Sequence, residues 1–122
     1  MHRKIGLAAA LALFCLATAA QAETWPSRPI RAIVPLSAGS AVDIIPRIVF
    51  EQVSKQIGQP IVVENRAGAS GTIGARAVAT AEPDGYTILA TSSALVISPS
   101  TVPNVPYDPV KDFEPIAALG NL

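Results

Sequence analysis

The sequence predicts an α/β layer with parallel strands, and three observations carry that expectation. Short β-branched or apolar runs at 30–34, 60–64 and 86–90 alternate with segments whose apolar residues recur at helical spacing. Each run is followed by small residues, at 37–40, 68–71 and 91–93. Strand, loop and helix in that order form βαβ units, whose right-handed crossovers lay the helices on the faces of the sheet.

The first residues stand apart from this layer. His2, Arg3 and Lys4 form a basic start, an apolar run extends over 5–20, and Ala20-Gln21-Ala22 is an A-x-A cleavage signal. The apolar run, about 16 residues, is short for a membrane span of roughly 20. Residues 1–22 are therefore expected to be a secretory signal peptide cleaved after Ala22, which sends residues 23–122 to the periplasm. Without Arg3 and Lys4, seven cations face nine anions, a net charge near −2. That balance offers no basic patch to nucleic acid. Cys15 and His2 are the only Cys and His in the chain, and both precede the cleavage point. The remainder has no thiol and no imidazole, which excludes Ser-His and Cys-His nucleophilic catalysis and His/Cys metal sites. These absences favour binding over catalysis, and the expectation is a binding protein that is not an enzyme and takes no cofactor and no metal.

In chain order, Trp25, Pro26 and Pro29 make an extended lead-in, with Trp25 packing as a plug or, less readily, stacking on a ligand. The first strand, 30–34, ends at Pro35, which cannot donate to a central ladder. The first helix is expected over 42–56, with Ile44, Ile45, Ile48, Val49, Val53 and Ile57 on its apolar face. Arg47, Glu51 and Lys55 follow at i, i+4 and i+8 on the other face. Gly58 ends it. Pro46 argues for a start at Val42 or Asp43, because a start at Ala41 would put proline where an amide donor is needed. The second strand, 60–64, leads through the loop 65–71 into a second helix, 72–81. Glu82-Pro83-Asp84-Gly85 is a turn, and the third strand follows. Prolines 99, 103, 106 and 109 predict an irregular connection over 98–110, and a strand-like run closes at 116–119.

All three small-residue loops follow the carboxyl ends of strands, the edge where open α/β sheets bind ligands. Small residues let backbone amides crowd a ligand, and helix N-termini favour an anion. Leu36, Ser37, Ala38, Gly39 and Ser40, then Gly68, Ala69, Ser70 and Gly71, with Thr91 and Ser92, are the candidate ligand-binding residues. Asp43 is either an N-cap carboxylate, an anchor orienting the first loop, or a contact for a ligand's ammonium group. The 68–74 loop can equally be a close-packed turn that needs glycine. As a dinucleotide fingerprint it fails, since Ala69 and Thr72 stand where glycines are required and no acidic residue ends the next strand. An NAD(P)-dependent oxidoreductase is accordingly the disfavoured alternative.

Several motifs in one order resemble a known family. Arg31-Ala32-Ile33-Val34-Pro35 through Ala38-Gly39 to Asp43, then Val62-Val63-Glu64-Asn65-Arg66 with Gly68 and Gly71, are similar to the tripartite tricarboxylate transporter receptors, the Bug or TctC-type periplasmic solute-binding proteins. Pro83-Asp84-Gly85-Tyr86-Thr87, Tyr107-Asp108-Pro109 and Asp112-Phe113-Glu114-Pro115 continue the likeness. The resemblance implies the first lobe of a bilobal, type II-like periplasmic-binding-protein fold. It also implies a small carboxylate held largely by backbone amides at 36–40 and 68–71, and delivery to membrane permease subunits. A sensor role or an inactive remnant are its alternatives. Ser37 stands where the family usually has proline, Ser40 where it usually has glycine, Val42 where Ser or Thr is common, and Pro46 where alanine is. The resemblance covers about the first third of a family member, so the expectation is a chain truncated before domain 2.

Overall fold

The computed structural model describes residues 24–120. The expected signal peptide lies outside them. Elements follow in the order β1 (Ile30–Val34), α1 (Ala41–Ile57), β2 (Ile61–Asn65), a 3-10 turn (Ala69–Gly71), α2 (Thr72–Ala79), β3 (Thr87–Leu89) and α3 (Ala94–Thr101). The strands form one parallel sheet in the order β2-β1-β3, with Ile30 opposite Ile61 and Arg31 opposite Thr87. This is the predicted α/β class.

The central strand is buried on both faces. Ala32 and Val34 join Phe50 and Ala90 in one cluster, flanked by Leu36, Val42, Val49, Ile61, Val63 and Ile88. Ile33, fully buried, points to the opposite face by strand alternation. Backbone bonds leave β1 alternately: Ile30 N–H reaches Pro60 O on one side, and Arg31 N–H reaches Tyr86 O on the other. Ile33 continues the ladder toward β3, opposite Leu89, and the donor after it would be residue 35, a proline, so the ladder stops there and the chain turns off the sheet. Gly74 lets α2 seat against this turn. A Cβ at that position would lie 2.8 Å from both Pro35 Cα and Arg66 O, which is the close-packing requirement for one glycine of this region.

α1 begins at Ala41, with Ser40 as N-cap, earlier than the expected start at Val42 or Asp43. Pro46 therefore lies inside the helix, where its ring leaves only the Val42 carbonyl without its i+4 donor. At its start the Ser40 carbonyl accepts the amides of both Asp43 and Ile44 at 2.9 Å. The helix is also rolled from the expected orientation. Asp43, Pro46 and Phe50 are buried, whereas Ile44 and Ile48 are 48% and 62% exposed. The cause is Asp43, whose carboxylate must face the end of β2 to meet its partners there. Gly58, in the left-handed region, closes the helix as expected by donating to Ser54 O. Lys55 pairs with Glu51 at 2.9 Å, but Arg47 pairs with Asp43 instead of joining that row.

Two further expectations change. The segment beginning at 94 is helical despite Pro99, because the carbonyl that proline orphans, Leu95 O, accepts the Tyr107 hydroxyl at 3.1 Å. The run 116–119 forms no strand and is exposed, with no neighbour to pair with among the described residues. At the opposite edge of the sheet, Trp25 lies over Gly85 and Tyr86, 6.1 Å between rings, with Arg28 stacked on the other aromatic at 4.1 Å. That placement is the plug, far from the small-residue loops.

Candidate functional site

Parallel pairing brings the carboxyl ends of all three strands to one edge, and each loop there opens a helix whose N-terminus faces the same way. Leu36, Ser70, Gly71 and Thr91 line one cleft together with Pro35 and Tyr107. Its interior holds about 10 Å³, roughly one water-sized sphere. The cleft is too small to enclose a ligand larger than water.

The loop after β1 turns on Gly39, whose φ of +84° favours glycine. Ser40 adopts φ −70°, so the serine in a usual glycine place carries no backbone strain. Its Oγ is buried and has no hydrogen-bond partner among the described residues. Asp43, 3% exposed, accepts Gly39 N–H at 2.8 Å, Arg47 Nε at 2.9 Å and Asn65 Nδ2 at 2.9 Å. The Arg47 hydrogen bond, then those from Gly39 and Asn65, hold its carboxyl down to about 2 against an ordinary 3.8. As the third residue of the helix it reaches back past the cap, a relative of the capping box. Of the roles open to Asp43 in the sequence, orienting the loop is the one its geometry serves. A ligand's ammonium group finds its oxygens already engaged.

The loop after β2 is more strained. Gly68, Ala69, Ser70 and Gly71 all have positive φ, at 132°, 46°, 56° and 87°. Alanine and serine adopt this region at a cost of order 1–2 kcal/mol each. Gly71 N–H bonds Gly68 O, and Thr72 Oγ1 bonds Ala69 O, which fix the strained turn from inside. After β3, Ser92 Oγ accepts Ala94 N–H at a weak 3.4 Å, and Leu95 N–H bonds Ser92 O.

The candidate residues thus divide. The amides of Gly39, Ser40 and Gly71 have internal acceptors at 2.8, 3.3 and 2.9 Å, so these residues shape the loops. The amides of Ser37, Ala38, Ala69 and Ser70 have no acceptor among the described residues, and their side chains are exposed. Arg47, Asn65 and Tyr107 were not among the candidates. The signal for Tyr107 was Pro99, which orphans a carbonyl four residues earlier. For Arg47 and Asn65 only the pairing of β1 with β2 reveals the meeting. No cluster of three His, Cys, Asp or Glu side chains that could hold a metal occurs among the described residues.

The profile of the tripartite tricarboxylate transporter family receptors matches residues 45–122. The chain belongs to that family. A UPF0065 protein of Bordetella bronchiseptica is 56% identical over 102 residues, 83% of this chain and 30% of that protein. The periplasmic binding protein BugD superposes with a TM-score of 0.73 at 42% identity, over 75% of this chain and 31% of its own. MatC from Rhodopseudomonas palustris, solved with bound malate, superposes with a TM-score of 0.72 at 35% identity, over 78% and 33%. The chain spans about a third of the length of the relatives it matches. Its three-stranded layer is accordingly part of one lobe of a periplasmic-binding-protein fold, in a family of receptors rather than enzymes.

Proposed function

We propose that this chain supplies the first-lobe half of a carboxylate site in an extracytoplasmic receptor, and that backbone amides hold the ligand. The observation that carries the reading is the shared edge: open amides at Ser37, Ala38, Ala69 and Ser70, beside three helix N-termini. Neutral donors suit an anion that must later be released, because they avoid a buried ion pair. With Arg47 matched by Asp43, the loop carries no net charge of its own. Capture without catalysis is the reading that goes with membership of a receptor family. Malate in MatC makes a dicarboxylate the first ligand to try. Secretion through the 1–22 leader, periplasmic residence and hand-over to tripartite permease subunits complete the proposal.

The test is thermal unfolding with malate and citrate, on this chain and on a chimera in which residues 23–122 replace the matched third of BugD. A ligand that binds only the folded state adds RT ln(1 + [L]/Kd), about 2.7 kcal/mol at a hundredfold excess over Kd. A rise in melting temperature with carboxylates, and none with their neutral esters, supports the proposal. Equal response to acid and ester, or protection by NAD(P), refutes it.

A further inference from the structure

The hydrogen bonds around Asp43 join three elements, the loop after β1, α1 and the end of β2, through side chains. Asn65, the last residue of β2, donates through Nδ2 to both Leu36 O at 3.1 Å and Asp43 Oδ1. Arg47, on the second turn of α1, forks between Asp43 Oδ1 through Nε and Asn65 Oδ1 through its terminal nitrogen at 2.8 Å. Asp43 Oδ2 in turn holds Gly39 N–H. The loop after β1 is thus gripped at its entry, by the Leu36 carbonyl, and at its exit, by the Gly39 amide. Between the grips lie Ser37 and Ala38, whose amides are open.

We propose that Asp43, Arg47 and Asn65 are positioning residues, a clamp that aims the Ser37 and Ala38 amides and sets ligand affinity without touching the ligand. The inference rests on the carboxylate-site reading above. The chemistry fits the task. A guanidinium fork bridges a carboxylate and an amide oxygen in one plane, which a lysine cannot reproduce. The clamp is also neutral as a unit: removing Arg47 leaves a buried carboxylate beside amides that must receive an anion. Arg66, the cation that follows Asn65, is engaged by Glu64. Sequence periodicity places Arg47 in a solvated ion-pair row, so the role becomes visible only through β1–β2 pairing.

Two readouts test this on the full chain and on the BugD chimera. The first is amide hydrogen exchange in the full chain, which needs no ligand. Asn65→Ala and Arg47→Lys are each expected to speed exchange at Gly39 at least tenfold, with Ile33 and Val34 in β1 still protected. Phe50→Leu, a core substitution that removes none of the clamp's hydrogen-bonding groups, is expected to lower the melting temperature without that local change. The second readout is malate affinity of the chimera, expected to fall at least tenfold in Asn65→Ala and to hold in Phe50→Leu. Unaltered Gly39 exchange in both clamp variants, an unprotected Gly39 in the wild type, or an equal loss from Phe50→Leu overturns the clamp. If the wild-type chimera binds no carboxylate, the receptor reading fails, and the exchange data alone decide whether the clamp exists. Should Asn65→Ala not fold, Arg47→Lys carries both readouts.

Discussion

At the residue scale, Asp43 shows how one buried carboxylate organises a loop. Its folded pKa of about 2 lies below the unfolded value near 3.9, so the ionised form is favoured by folding. Stability from this group is fully present above pH 4 and is lost as pH falls through 2. Asp108, held low chiefly by the Val110 amide, contributes in the same direction. The melting temperature is expected to fall between about pH 4 and pH 2, and Asp43→Asn to show a shallower fall across that window. Equal slopes in the two proteins would remove Asp43 from the linkage. Gly74 offers a second residue-scale test. A methyl group there meets two backbone atoms at 2.8 Å, so Gly74→Ala should cost about 1–3 kcal/mol in urea unfolding. A neutral result would mean that α2 and the Pro35 turn yield easily.

At the element scale, the proline-bearing helices are the instructive pair. Both α1 and α3 carry proline at their sixth residue, Pro46 and Pro99, and both form. In α3 the orphaned Leu95 carbonyl is rescued by Tyr107 from twelve residues away. Tyr107→Phe is expected to destabilise the chain by about 1 kcal/mol. In a Pro99→Ala background, where the helix supplies its own donor, the same substitution should cost less, and a double-mutant cycle measures the difference. Additive costs would show that the two residues are uncoupled. What was readable in advance follows the same division. Strand positions and Gly58 were legible because β-branched runs and a left-handed stop act locally. Helix α3 and the roll of α1 were not. Each depends on a partner distant in sequence, Asn65 for the roll of α1 and Tyr107 for α3, where it meets the carbonyl that proline orphans.

At the scale of the whole molecule, a single topological fact gathers the site. Strands β2, β1 and β3 run the same way, so the loops that follow them share an edge whatever their individual sequences. The small residues of those loops were legible as candidates, but their division into open and engaged amides was not, because it is set by Asp43 and by the left-handed turn at 68–71. The most direct measurement is a titration of the isotopically labelled chain with malate, following backbone amide resonances. Hydrogen bonding to a carboxylate should shift the amides of Ser37, Ala38, Ala69 and Ser70 most, with the Trp25 and Tyr86 end of the sheet unmoved. Shifts centred on that opposite end, or no response at those four amides under saturating malate, would contradict a site built from amides at the carboxyl edge.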